Sequence, residues 1–244
     1  MPDAQQKLLL QTIHFLSEKF KEKFVLAGGM LLCLLNSPRS TQDIDCFFLS
    51  KVSKKVLGEE IRKALKQFAL AKVTSFEINS RGIFVGLQGE TADEKIRLEM
   101  SVVASLNLPT ESFATTTLAS SYAMGARVIQ VIALPEAFAN KIAACIEREN
   151  MRDLYDITLF EPLCTFDPKT MQERLKKSSI RRQKPVALDF KKAASLLKKR
   201  VESLTEKKLE EELYPLLPAT QQTSMLRIIQ SSLAKVIQRL EQMD

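Results

Sequence analysis

Two short stretches near the N-terminus decide the fold: Leu26-Ala-Gly-Gly-Met30 and Arg39-Ser-Thr-Gln-Asp-Ile-Asp45. The apolar run before Gly28 predicts a strand, and the two glycines predict a tight turn into a short helix. Glycine lets a backbone approach a ligand closely, and the free amides at the start of a helix attract phosphate. The first stretch therefore predicts a strand, a phosphate-binding turn at Gly28 and Gly29, and a helix.

The second stretch places two carboxylates on a returning strand. Asp43 and Asp45 are two residues apart, so on a strand their side chains point to the same face. Neighbouring carboxylates repel each other unless a cation joins them, and Mg²⁺ takes a few carboxylates together with water and phosphate oxygens. The pair predicts a site for Mg²⁺ or Mn²⁺ that positions a triphosphate and stabilises leaving pyrophosphate. An acidic strand end or turn is the alternative interpretation of this pair taken alone.

A third acid is expected from a neighbouring strand. Residues 96–102 alternate between apolar and polar side chains, and Glu99 lies on the polar face with Arg97. We predict that Glu99 is either a third metal ligand or the base that activates an incoming hydroxyl. Asp93 and Glu94 are weaker candidates because they lie in the preceding turn. An ordinary polar strand face is the alternative.

The chain as a whole divides into two parts. Strand and helix patterns alternate as far as Ile132, and only helical patterns follow. Strands are expected at residues 24–27, 43–49, 72–79, 82–88, 95–103 and 127–132, and helices at 5–20, 30–35, 51–68, 136–147, 152–160, 167–175, 186–204 and 219–243. We therefore predict an α+β domain over residues 1–132, with helices flanking a sheet, and an all-helical domain over residues 133–244.

A second charged cluster lies at the start of the predicted helical domain. Lys141 and Arg148 are seven residues apart and fall on nearly one stripe of a helix, where alanines leave room for a triphosphate. Asp153 and Asp156 lie one helical turn apart in the next helix. They could orient Lys141 and Arg152 by ion pairing. The alternative is that Asp153 caps a helix and Arg152 pairs at the surface.

Composition restricts the class of protein. The 244 residues are 45% hydrophobic and 27% charged, which is typical of globular chains. No apolar run approaches the ~20 residues of a membrane span, and the N-terminus has no signal-peptide pattern. The four cysteines lack CxxC spacing and predict buried free thiols in a reducing cytoplasm. A single histidine, His14, almost excludes a histidine-based metal site or a Ser/His triad.

Positive charge is concentrated in one segment. Residues 171–200 contain eleven Lys and Arg residues and only two acidic ones, so the segment has a net charge of +9. This local charge exceeds the net charge of the whole chain, which is +7. Such a segment suits a polyanionic partner such as RNA. A solvated helix surface is the equally simple alternative.

Taken together, these motifs resemble those of the AbiEii/AbiGii toxin family of nucleotidyltransferases, which includes the MenT-type toxins. The resemblance covers residues 24 to 160 or so. It is carried by Gly28-Gly29, by Arg39-x-Thr41-x-Asp43-Ile-Asp45, and by Lys141 followed by Arg148 and Arg152-Asp153-Leu-Tyr-Asp156. The resemblance implies a polymerase-β-like nucleotidyltransferase fold with a mixed sheet, followed by a helical C-terminal domain.

The same resemblance implies roles for particular residues. Asp43 and Asp45 would bind Mg²⁺. Lys141 would contact the phosphates of an NTP substrate, and Asp156 would belong to the active site. The remaining motif residues would belong to the nucleotide-binding site: Gly28, Gly29, Arg39, Thr41, Arg148, Arg152 and Asp153. The sequence departs from the common pattern at Met30, where many nucleotidyltransferases have a hydroxyl residue, and has Glu99 where Asp is more usual.

The function expected from these observations is NMP transfer from an NTP to an acceptor. The acceptor would be RNA, as in family members that add nucleotides to the tRNA 3′ end, and the chain would act as a cytoplasmic toxin with a cognate antitoxin. Two alternatives stay open. The acceptor could be a protein or a small molecule, or the chain could be a degenerate, non-catalytic nucleotide-binding module, which Met30 favours.

Overall fold

The computed structural model describes residues 4–104, 108–148, 150–178 and 187–243. The chain forms two compact units, Met1–Ile132 and Ala133–Asp244. No helix within the described ranges is long and apolar enough to cross a membrane.

The first unit is built on a mixed sheet. Its described strands are β1 (Phe24–Ala27), β2 (Asp43–Leu49), β3 (Lys72–Ile78), β4 (Ile83–Gln88), β5 (Lys95–Val103), β6 (Thr110–Ala114) and β7 (Val128–Ile132). Their spatial order is β3-β4-β5-β2-β1-β7-β6. Strand β2 runs antiparallel to β1 and parallel to β5, so the strands that carry the predicted acidic residues are direct neighbours.

Helices cover one face of this sheet. The first unit contains α1 (Ala4–Phe20), α2 (Gly28–Leu34), α3 (Lys54–Leu65) and α4 (Thr116–Ser121). The end of α1 packs Phe20 edge-on against buried Phe48 of β2. In α3, Gly58 lies close to Ile83 of β4. Because the register places the side chains of Ile83, Met100 and Cys46 on one face, α1 and α3 cover the same side of the sheet.

The second unit is helical throughout its described residues. It contains α5 (Leu134–Glu147), α6 (Met151–Phe160), α7 (Pro168–Leu175), α8 (Phe190–Glu202), α9 (Glu206–Glu212) and α10 (Met225–Glu241). Side-chain oxygens accept backbone hydrogen bonds at several helix starts, as Asp167 does from Thr170 and Asp189 from Lys192. The apolar stripe of α10 is fully buried at Ile229 and Leu233. The predicted α+β fold with a helical C-terminal part is confirmed.

Some elements were missed by sequence reasoning. Strand β6 has no buried residue and is rich in polar side chains, so it carries no strand periodicity that distinguishes it from a loop. Helix α9 buries only Leu209 among charged residues. The last helix begins at Met225 rather than at residue 219, because Ser224 adopts a left-handed backbone conformation with φ of 61°.

The thiols behave as their sequence context predicts. All four cysteines are free and buried. Burial raises the pKa of Cys46, and the neighbouring carboxylate of Asp45 raises it further. Burial likewise raises the pKa of Cys145. These are core side chains and not nucleophiles.

Candidate active site

Strand β2 presents its aspartates on the sheet face opposite α1 and α3. Asp43 and Asp45 are half-buried, whereas Ile44 between them is fully buried against the helices. In the register of the sheet, Asp45 lies between Ala27 of β1 and Glu99 of β5. The structure thus brings Asp43, Asp45 and Glu99 onto one polar face of adjacent strands.

The two glycines predicted to form a tight turn before the helix are instead the first residues of α2, and they pack directly against this face. Gly28 has a φ of 66°, and a Cβ there would lie 2.0 Å from Oδ2 of Asp45. A Cβ at Gly29 would lie 2.8 Å from Oγ1 of Thr41 and 3.3 Å from Nη2 of Arg39. Four of the predicted nucleotide-binding residues and Asp45 therefore meet in one place, and the absence of side chains at both glycines allows this approach.

The loop before β2 is shaped by its own polar side chains. Arg39 is buried, and its guanidinium donates a hydrogen bond to the carbonyl oxygen of Ser40 at 3.3 Å. The hydroxyl of Thr41 donates to the carbonyl oxygen of Asp43 at 3.4 Å. These contacts hold the backbone that leads into the two aspartates.

Substitution of Gly28 by Ala is expected to lower nucleotide transfer about 100-fold, because an added Cβ must displace the Asp45 carboxylate and misplacing a reacting group by about 1 Å has effects of that size. Positive φ adds about 1–2 kcal/mol of backbone strain for an L residue. Gly125→Ala is the matched control, since a Cβ at Gly125 meets nothing within 4 Å. Initial rates with labelled NTP measure the effect, and equal rates for both variants would contradict it.

An arginine lies among the carboxylates. Arg97 of β5 forms an ion pair with Glu99, and its Nε lies 3.7 Å from Oδ1 of Asp43. The Arg97 side chain is 60% exposed, so the pairs are partly screened by solvent. No three His, Cys, Asp or Glu side chains within the described part of the chain are grouped to hold a metal ion. Asp43 and Asp45 are therefore the two carboxylates that could hold a metal ion on this face. The role of Glu99 as a third ligand stays a prediction.

The second unit contains a separate, tightly paired cluster. Nζ of Lys141 in α5 lies 2.6 Å from Oδ2 of Asp156 and 3.5 Å from Oδ1 of Asp153, both in α6. Arg148 donates two hydrogen bonds to Asp153, at 2.7 and 3.1 Å. Both aspartate side chains are fully buried, and Lys141 is 15% exposed. Burial makes this network costly to break, because each partner would leave an uncompensated charge.

Two details differ from the sequence-based expectation. Asn150, not Asp153, caps α6, since its side chain accepts a hydrogen bond from the backbone N–H of Arg152. Among the described residues, Arg148 pairs with Asp153, and the ion pair expected for Arg152 stays a prediction. Arg148 follows the last residue of α5, and this extended position lets its guanidinium reach across to α6. Sequence spacing within one helix could not show that.

The basic segment is only partly described. Arg181, Arg182 and Lys184 lie outside the described residues. Arg174 pairs with Glu147, so this part of the positive charge is neutralised within the unit.

Comparison with known proteins decides the family. The model of the family described as nucleotidyl transferase AbiEii toxin, type IV toxin–antitoxin system, matches residues 10–235. The chain belongs to this AbiEii family. It is therefore a nucleotidyltransferase, and family membership implies an NTP substrate and an antitoxin partner. No curated protein matches the sequence.

Solved structures support the fold of this AbiEii-family chain. MenT4, a nucleotidyltransferase toxin from Mycobacterium tuberculosis H37Rv, is 18% identical with a TM-score of 0.62, and the match covers 99% of this chain and 87% of that one. JHP933 from Helicobacter pylori is 16% identical with a TM-score of 0.56, covering 98% and 93%. An antigenic nucleotidyltransferase-like protein from Paracoccidioides brasiliensis is 13% identical with a TM-score of 0.52, covering 91% and 97%. At these identities the likeness shows the fold alone.

Proposed function

We propose that this AbiEii-family enzyme transfers NMP from an NTP to the 3′ end of an RNA, with tRNA as the favoured acceptor, and that it acts as the toxin beside a cognate antitoxin in the cytoplasm. The observation that carries the proposal is the pair Asp43 and Asp45 on one open sheet face, with the Gly28 turn packed on Asp45.

The donor set fits a divalent cation. Two carboxylates on one strand face match what Mg²⁺ takes from a protein when substrate phosphates and water supply its other oxygens. A bound Mg²⁺ or Mn²⁺ would supply positive charge to the triphosphate and to the leaving pyrophosphate. Asp43 and Asp45 would hold it, and Glu99 would serve as a third ligand or as the base that accepts the proton of the attacking hydroxyl.

The remaining predicted residues would bind the nucleotide. The backbone at Gly28 and Gly29 leaves room for close approach of the triphosphate, and Arg39 and Thr41 hold the adjoining loop. Residues of the second unit would add to triphosphate binding; these are Lys141, Arg148 and Arg152, with Asp153 and Asp156 positioning the Lys141 ammonium. Charge fixed in advance in this way costs no reorganisation during the reaction.

The reaction balances without a redox partner. An RNA hydroxyl oxygen would form a bond to the α-phosphorus of the NTP, and the bond from that phosphorus to its bridging oxygen would break. Pyrophosphate leaves with the bonding electrons, and the hydroxyl proton passes to a carboxylate such as Glu99. Positioning and electrostatics therefore suffice for catalysis.

Labelled NTPs, Mg²⁺ and total cellular RNA test the proposal. We expect label in RNA, with tRNA as the main product, and charge reversal at Arg181, Arg182 and Lys184 should reduce RNA labelling while NTP binding persists. Label that enters only protein or a small molecule would overturn RNA as the acceptor. Nucleotide binding with no transfer to any fraction would favour a non-catalytic module.

Arg97 provides a test of the metal site that does not depend on turnover. Replacement by Gln is expected to tighten Mn²⁺ binding about tenfold, because a unit positive charge beside Asp43 and Glu99 opposes a divalent cation. Electron paramagnetic resonance of free Mn²⁺ measures the affinity. Arg62→Gln is the control, because Arg62 contacts Phe76 on the helix side of the sheet. Unchanged or weaker Mn²⁺ binding in the Arg97 variant would contradict the prediction.

A further inference from the structure

A cleft of about 300 Å³ opens beside Asp45 on the polar sheet face. Its lining combines one acidic pair, two aromatic rings and one guanidinium, contributed by Asp45, Glu99, Phe47, Phe84 and Arg81. All of these residues belong to the first unit. The volume lies at the lower end of the range for sites that bind small organic groups.

The aromatic ring of Phe84 is unusual for its position. In the register, Phe84 of β4 is paired with Glu77 of β3 and with Glu99 of β5, so its ring lies on the polar face of the sheet. Phe84 is half-buried, whereas Phe24 and Phe48 of the core strands are completely buried. The ring therefore contributes little to the core and leaves aromatic surface open next to catalytic candidates.

A second depression on the same face shares this ring. It is lined by Phe84 and Arg81 together with Ser75, Glu77 and Arg97. Phe84 and Arg81 thus stand between two adjoining hollows, one of which reaches Asp45. Proteins bind unpaired nucleic-acid strands through grooves that contain aromatic rings and arginine side chains. Each base can stack its face on a ring, and a guanidinium adds a cation–π contact.

We propose that the cleft formed by Phe84, Arg81 and Phe47 is the subsite for an unpaired base at the 3′ end of the acceptor RNA. This inference rests on the proposed function and identifies where the acceptor binds. Stacking on Phe84 would hold the terminal nucleoside beside Asp45. Recognition through the face of the base is largely independent of its identity, so the subsite would accept each of the four bases.

The protein contains no tryptophan, which allows a direct binding test. Phe84→Trp introduces a single reporter in the cleft. Phe76→Trp is the matched control, because Phe76 is on the next strand but its ring stacks with Arg62 at 4.4 Å. Titration with a short single-stranded RNA, without NTP, is expected to quench the fluorescence of the first variant saturably and leave the second unchanged. Absence of quenching at position 84, or quenching by NTP alone, would overturn the proposal.

Kinetics give a second measurement. Phe84→Leu keeps an apolar side chain but removes the ring, and we expect the KM for RNA to rise about tenfold with kcat and the KM for NTP unchanged. Phe84→Tyr should restore the wild-type KM. A rise in the KM for NTP instead would overturn assignment of the cleft to the acceptor.

The two proposals fail in different ways. If RNA quenches the fluorescence at position 84 but the protein transfers no nucleotide, the proposed reaction is wrong and the proposed base-binding cleft stands. If the protein transfers nucleotide to RNA but RNA does not quench the fluorescence at position 84, the proposed cleft is wrong and the proposed reaction stands.

Discussion

D45N is expected to lower the rate of nucleotide transfer by about 10³-fold or more, the largest effect of any single substitution on activity. The amide keeps the shape of the side chain but removes the negative charge that would bind a divalent cation, and metal-assisted chemistry depends on that charge. Asp45 is half-buried and lies next to Gly28, so the substitution leaves the core intact. We expect the free energy of unfolding to change by less than about 1 kcal/mol.

A control on the same face isolates the effect of Asp45. Glu77 lies on the same polar face but is exposed on β3, two strands beyond β5. E77Q also removes one negative charge, and at saturating RNA we expect it to retain transfer within about twofold of wild type, because Glu77 lines the hollow beside Phe84 and not the cleft at Asp45. Initial rates with labelled NTP and RNA, and thermal unfolding of each variant, measure both quantities. Transfer by D45N at more than a tenth of the wild-type rate would refute the assignment.

D153A is expected to have the largest effect on stability, lowering the free energy of unfolding by about 3–5 kcal/mol. The Asp153 side chain is fully buried and is paired with Arg148 and Lys141. Removal of the carboxylate leaves the Lys141 ammonium, which is only 15% exposed, with one of its two acidic partners. The physical reason is desolvation: the Lys141 ammonium loses the charge compensation of one carboxylate and, at 15% exposure, cannot replace it with water.

Chemical unfolding followed by circular dichroism measures this loss. Lys198→Ala is the matched control, because it breaks an ion pair at the surface. In that pair the side chain of Lys198 is 53% exposed and that of Glu241 is 45% exposed. We expect that control to change stability by no more than about 1 kcal/mol. If D153A and Lys198→Ala destabilise the protein equally, the buried cluster has no special role in the stability of the helical unit.

Much of the candidate site could be predicted from local patterns. A spacing of two residues on an apolar strand places Asp43 and Asp45 on one face whatever the rest of the chain does. Two consecutive glycines after a strand likewise indicate a sharp change of chain direction; in the structure this change occurs at the first residues of α2, where Gly28 has a positive φ. Such features depend on the backbone within a few residues.

Other features depended on contacts between distant segments. The pairing of Arg148 with Asp153 requires the chain to turn between α5 and α6, and no periodicity within either helix contains that turn. Strand β6 was missed because it pairs with β7 as an edge strand and buries no apolar side chain of its own. The cleft at Phe84 depends on the order of β4, β5 and β2, which alternation along a single strand cannot supply.

The sequence by itself determined the succession of strands and helices, the shared face of the two aspartates and the family, because these follow from spacing and residue type along the chain. Only the tertiary structure decided that the Gly28 turn meets Asp45, that Arg97 lies between Asp43 and Glu99, and that Phe84 stands on the polar face near them. The physical reason is strand register, which is set by the burial of the opposite, apolar face against α1 and α3. That burial selects which side chains become neighbours across strands, and it acts on the sheet as a whole.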